Sequence, residues 1–263
     1  MKLGIISEPK EESFKYAAGK GLEFLEFCIN VGKDPAKVLA DVPALKGWIR
    51  RHGVGVQAIG RWGADRLDAE GKPVGEEVEA CRKLVDVAAE AGCPNFVCGV
   101  NRVKTLTFLD NCNAAADWLA SMISYGKSKG VRVATYNCRW NNFIVDPATW
   151  AIIHQQLPEL GIKYDPSHTL NAGGHMLREM RDWAHRFHHV HIKGIVMIDG
   201  RQFDNPPAGL DQTDWASFMA MLYAKKYDGG LSIEPHSENW HGELGEKGVD
   251  FTIAHMRRLL FRE

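Results

Sequence analysis

The chain has 263 residues and a formal net charge of −1, so it offers no electrostatic reason to expect nucleic acid or an anionic membrane as a partner. No apolar stretch approaches the ~20 residues of a membrane-spanning helix. The first apolar run gives way at once to the polar Ser7-Glu8-Pro9-Lys10, which argues against a secretory signal and for a cytoplasmic protein.

Taken in order, apolar runs of about five residues alternate with longer stretches of helical periodicity. Strands are expected over 3–6, 24–29, 54–59, 95–100, 131–136, 161–165, 188–192 and 231–233. Between them, helical signals recur. Asp34 precedes Pro35, Gly92 stops the stretch carrying Cys81, Leu84 and Val85, and Asp146-Pro147 opens a helix running to 161. A break is expected near Val42-Pro43, a polar excursion over 194–210, and a last helix over 248–262. Eight strands alternating with eight helical stretches predict a parallel sheet, and ~250 residues is the usual length of a closed (β/α)8 TIM barrel. A doubly wound open sheet competes, but gives strands five to eight no common meeting point. No linker or low-complexity tract divides the chain, so 1–263 reads as one domain. The six cysteines form no Cys-x-x-Cys pair and read as reduced apolar fillers.

Three strand candidates end in residues that bind cations. Gly161-Ile-Lys-Tyr-Asp165 is cut off by Pro166, which cannot donate to a strand ladder, and His168 follows. Val190-His191-Ile192-Lys193 and Leu231-Ser-Ile-Glu234-Pro235-His236 end in the same manner. A closed barrel brings such ends to one mouth, where Asp165, His191 and Glu234 form the outline of a metal site. Asp165 alone would read as a helix cap, and His191 alone as a core histidine; Glu234 is almost never a core residue unless paired. His189 shares a face with His191 and reads as a buried group behind it. His168 reads either as a substrate contact or as a loop hydrogen bond, and Lys193 as a substrate contact or a rim lysine. Trp62 and Trp140, with Arg61 and His236, lie in loops on the same face, where a tryptophan can stack on a sugar ring.

These motifs resemble the xylose-isomerase-like barrel superfamily of sugar isomerases and epimerases. Asp165-Pro-Ser-His168 with Gly173-Gly174 is similar to its Asp-x-x-His signature, His191-Ile-Lys193 to its strand-seven histidine, and the stretch from Gly209 to Glu234 to its last βα unit. The resemblance implies a divalent cation (manganese, magnesium, cobalt or zinc) held by a strand-five glutamate together with Asp165, His191 and Glu234. It also implies a small carbohydrate as substrate and allows a homo-oligomer. The chain departs at strand five, where Tyr136 stands in place of the glutamate; Asn137 or water would complete the ligand set. The superfamily's apurinic endonucleases need further histidines that the early strands lack.

The expected activity is metal-dependent isomerisation or epimerisation of a small keto- or aldo-sugar through an enediolate, with Glu234, His168, Lys193 and Tyr136 as catalytic groups. Because the second glutamate is missing, aldose–ketose isomerisation or elimination is expected ahead of two-base epimerisation. A lyase or dehydratase acting on an inosose or 3-keto-sugar is the alternative. A sugar-binding barrel without catalysis is the third reading.

Overall fold

A computed structural model describes residues 1–261 of the chain. Its strands are β1 (Lys2–Ser7), β2 (Phe24–Cys28), β3 (Gly55–Arg61), β4 (Asn95–Cys98), β5 (Arg132–Tyr136), β6 (Gly161–Tyr164), β7 (Phe187–Ile192), β8 (Val196–Ile198), β9 (Arg201–Asp204) and β10 (Gly230–Ile233). Its helices are α1 (Glu11–Gly19), α2 (Pro35–Ala40), α3 (Val42–His52), α4 (Gly75–Glu90), α5 (Phe108–Ser128), α6 (Pro147–Gln156), α7 (Pro166–Asn171), α8 (Met176–Trp183), α9 (Trp215–Ala224) and α10 (Gly242–Leu259). Every strand except β8 and β9 joins one closed parallel barrel in the order β1-β10-β7-β6-β5-β4-β3-β2. Closure is made by β1 on β10, in register from Lys2↔Gly230 to Ile5↔Ile233. The competing open sheet is thereby excluded.

Local chemistry explains most of the boundaries. Asp34 and Asp146 cap α2 and α6, each with proline at the first turn, and Thr149 completes a capping box on α6. Four expectations need correction. α6 ends at Gln156 instead of running to 161, because Pro158 follows and cannot continue a helix. The stretch after β6 is two short helices, split where Gly173 takes φ 72. Residues 194–210 are not a plain loop, since β8 and β9 pair antiparallel around Asp199 (φ 49) and Gly200 (φ 73). Such positive φ angles are what a tight Asp-Gly hairpin turn demands. The last helix starts at Gly242, and its expected end at Arg262 lies outside the described residues.

Trp118, Leu119 and Met122 of α5 and Trp150 of α6 are fully buried in the layer between helices and barrel, each contributing ~1.5–3 kcal/mol. The barrel interior is divided. Ala58, Val97, Ala134 and Tyr136, with Trp62 above them, form an apolar cluster on the β3–β5 side. Glu26, Lys163, His189 and His191 are buried on the β2, β6 and β7 side. The site stands on that charged half.

Candidate active site at the carboxyl end of the barrel

Asp165 stands where Pro166 stops β6, and it caps α7. Its Oδ1 accepts from the Ser167 amide at 2.9 Å and the Ser167 hydroxyl at 2.6 Å. That leaves Oδ2 facing the barrel axis, buried and without a well-formed hydrogen bond. The Asp165 backbone is fixed by Asn137, whose Oδ1 accepts from Asp165 N at 3.0 Å while its Nδ2 donates to Asp165 O at 2.8 Å. Both ends of that amide are therefore used in holding the Asp165 backbone, and Asn137 is not among the residues that line the cavity. His168 lies in α7 and not in a loop.

On β7, alternation sends His189 and His191 inward. His191 Nε2 meets Glu26 Oε2 at 2.8 Å, and His189 Nε2 meets the same oxygen at 2.8 Å. His191 Nδ1 faces the other way, 2.7 Å from Glu234 Oε2 and 3.8 Å from Asp165 Oδ2. Lys193 Nζ sits 3.1 Å from Asp165 Oδ2, 3.3 Å from Glu234 Oε2 and 3.2 Å from His168 Nε2. Burial opposes charge on Asp165 and Glu234, but Lys193 beside both, with His168 near Asp165 and His191 near Glu234, outweighs it and holds both below the usual carboxylate range. Burial likewise opposes a charged His191, yet Glu26 and Glu234 on its two nitrogens raise it to about 9. His168 is pushed down to about 4 by burial, with the Lys193 ammonium adding to the effect against the pull of Asp165. It is a neutral imidazole beside an ammonium.

The donor set fits a divalent cation. Ligand atoms of Asp165, His191 and Glu234 lie within 4.8 Å of one another. His191 Nδ1 points at the two carboxylates while Nε2 is anchored on Glu26, the carboxylate–histidine arrangement that orients a metal-ligating imidazole. Asp165 Oδ2 is buried without a formal hydrogen bond and already draws the Lys193 ammonium to 3.1 Å, so the position is one that favours positive charge. Oxygen, nitrogen and oxygen donors suit manganese, magnesium, cobalt or zinc alike. A second group, Glu26, His189 and His191, also has its ligand atoms within 4.8 Å but lies deeper in the barrel.

A cavity of about 430 Å³ opens above these groups, lined by Trp62, Trp140, His168, His191, Lys193, Glu234 and His236, and also by Lys163 and the half-buried Cys28 and Cys138. The last two are pocket walls as well as fillers. Four expected residues are not among those lining it: Asp165 and Asn137, buried just beneath it, and Arg61 and Tyr136, which turn elsewhere. Arg61 ends β3 facing α4, where its Nη2 meets Glu77 at 2.6 Å and its Nη1 holds the carbonyls of Ile29 and Lys33, each at 3.3 Å. It fastens the loop after β2 and is not among the pocket-lining residues. Tyr136 is buried against Trp62, the rings stacked 4.9 Å apart, and its hydroxyl donates to Trp140 O at 3.2 Å. The ring lies back over β4 because residue 99 is glycine; a Cβ there would meet the phenol oxygen at 2.4 Å. Trp140 is half exposed at the mouth and packs on Gly63. Glu26 and Lys163 escaped the sequence reading. The available signal was a charge in the middle of an apolar strand, in Phe24-Leu-Glu26-Phe-Cys28 and in Gly161-Ile-Lys163-Tyr164.

A family model described as "Xylose isomerase-like TIM barrel" matches residues 14–259. No curated protein matches the chain. Solved structures similar to it include a xylose isomerase domain protein from Planctomyces limnophilus, 14% identical with a TM-score of 0.76 over 98% of this chain and 96% of the other. A 3-keto-D-glucoside 4-epimerase from E. coli is 18% identical with a TM-score of 0.74, over 98% of this chain and 99% of that one. The D-psicose 3-epimerase of Clostridium cellulolyticum H10, solved with D-tagatose, is 12% identical with a TM-score of 0.79 over 100% of both chains. At such identities the likeness is one of fold.

Proposed function

This chain belongs to the xylose isomerase-like TIM barrel family, and from that premise we propose that it is a divalent-metal-dependent isomerase or epimerase of a small keto- or aldo-sugar, working through an enediolate. One observation carries the reading: Asp165 Oδ2, His191 Nδ1 and Glu234 Oε2 converge beside a sugar-sized cavity that His191 and Glu234 line, with His191 braced from behind by Glu26. The similar structures named as sugar epimerases support the substrate class.

Asp165, His191 and Glu234 would hold the cation, which when bound supplies positive charge against the negative charge that develops on the substrate's oxygens. Glu234 turns one oxygen to that cluster and the other toward His236, 3.7 Å away at the pocket mouth. It is placed to take the α-proton. His168, neutral and within 3.2 Å of the Lys193 ammonium, is placed to pass a proton between substrate oxygens. Trp62 and Trp140 offer apolar faces for the ring.

Tyr136 is packed on Trp62, so strand five sends no carboxylate into the pocket opposite Glu234. A single carboxylate base returns the proton to the face it came from, which favours aldose–ketose isomerisation over two-base epimerisation. The same single base would serve the elimination of a lyase. The experiment is metal analysis. Purified protein should bind about one divalent cation per chain, and Asp165→Ala or His191→Ala should abolish it, with loss of the thermal stabilisation that added manganese, cobalt or zinc gives the wild type. Wild-type protein that neither holds nor is stabilised by any of these cations would refute the site.

A further inference from the structure

Among the described residues, Lys163 is a buried charge of the barrel interior that the reading above leaves unused. Its side chain is 2% exposed, and an ammonium in so dry a place is strongly unfavourable unless it is paired. Among the described residues no atom accepts a hydrogen bond from Nζ within 3.5 Å, and its ion-pair contact is Asp165 Oδ2 at 3.8 Å. That oxygen already has the ammonium of Lys193 at 3.1 Å, so neutralising Asp165 does not require a second lysine. Lys163 also lines the cavity, together with His168, His191, Lys193 and Glu234.

The register explains why this lysine has no carboxylate beside it on the neighbouring strands. Tyr136 and Lys163 are direct neighbours across β5 and β6, and Lys163 and His189 across β6 and β7. A carboxylate at residue 136 would stand beside Lys163 as a cross-strand ion pair. The phenol there turns instead onto Trp62 and the Trp140 carbonyl. Strand five withholds a negative group and strand six supplies a positive one, at the same level of the barrel.

We propose that Lys163 is a catalytic residue, whose ammonium donates a hydrogen bond to the substrate oxygen on which negative charge builds during proton transfer. This rests on the enediolate reading. In that step Glu234 removes the α-proton, the C–H electron pair becomes the new C=C bond, and the carbonyl pair moves onto oxygen. Lys163 stabilises that oxygen without giving up its proton, and the proton on Glu234 is returned to carbon or to the neighbouring oxygen. A preorganised donor aimed where charge develops acts on the rate more than on ground-state binding.

Lys163→Met, close in length and uncharged, is the direct test, with Lys163→Gln as a second variant should the first not fold. Four quantities are read: metal content, sugar affinity, exchange of the sugar's α-hydrogen in deuterium oxide, and affinity of the metal-free protein for glycolohydroxamate, a planar mimic of an enediolate. The expected result is unchanged metal content, sugar affinity within about threefold, and exchange slowed by about a hundredfold or more. Glycolohydroxamate binding should weaken by about tenfold. Exchange within threefold of wild type, or exchange and sugar affinity falling in equal proportion, would overturn the proposal. If the wild type exchanges no sugar's hydrogen, the enediolate reading fails separately. The glycolohydroxamate titration then still decides Lys163, since equal binding by wild type and variant counts against it.

Discussion

At the scale of single residues, Tyr136 decides what kind of site this is. Its ring is buried against Trp62, its hydroxyl spans to the backbone of Trp140, and Gly99 makes the room. The phenol thus supports the wall that presents Trp140 to the pocket, and takes no position among the cation donors. Burial raises its pKa far above the ordinary tyrosine value, so it stays a neutral donor. Tyr136→Phe removes one hydrogen bond worth about 1 kcal/mol and frees the Trp140 loop. We expect metal content to stay nearly intact while the KM for sugar rises several-fold; loss of the cation in this variant would make the phenol oxygen a ligand after all. Tyr136→Glu should not improve the enzyme, because a carboxylate there would pair with Lys163 across the strands.

At the scale of elements, the donors that were readable from sequence are those at strand ends marked by proline, Asp165-Pro166 and Glu234-Pro235, with His191 found by its like position. Proline made them readable by ending the ladder at a known residue. Glu26 and Lys163 were not readable in this way, because a charge in mid-strand has two faces to choose from, and only closure of the barrel decides which one is inside. Arg61 failed for a related reason: β3 runs two residues past the expected 59, so Arg61 is held in the strand and meets Glu77 of α4 instead of entering a loop at the mouth. The helices carry their own signature in His154 of α6, buried against Trp183 with neither ring nitrogen partnered. Burial, reinforced by the Arg186 charge, pushes it down to about 4. In the unfolded chain it titrates near ~6.5, so unfolding takes up a proton below that pH. Its contribution, on the order of 1–3 kcal/mol, is therefore complete above about pH 6.5 and is lost as pH falls toward 4. Urea midpoints at pH 7 and pH 5 should differ less in His154→Leu than in wild type; equal differences would mean that His154 is already protonated when folded.

At the scale of the molecule, the alternation of eight βα units was enough to reach the closed barrel, because right-handed crossovers leave few other arrangements for such a pattern. The insertions were harder to read: the β8–β9 hairpin and the division into α7 and α8 depend on glycines at positive φ and change nothing in the periodicity. Closure is what joins β2 to the site. It sets Glu26 behind His191 from a strand 165 residues away in sequence, and so turns three strand-end donors into a braced cluster. Among the described residues no helix is long and apolar enough to cross a membrane.

The central claim is cation-assisted proton transfer by Glu234 next to a sugar carbonyl. Its most direct measurement is the incubation of metal-loaded protein with candidate keto- and aldo-sugars in deuterium oxide, followed by NMR. One α-hydrogen is expected to be exchanged for deuterium with carbonyl migration, the exchange should stop on chelation and return with the cation, and Glu234→Gln should abolish it while the fold is retained. Turnover that survives chelation, product that carries no solvent deuterium because the hydrogen has moved directly, or full activity in Glu234→Gln would contradict it.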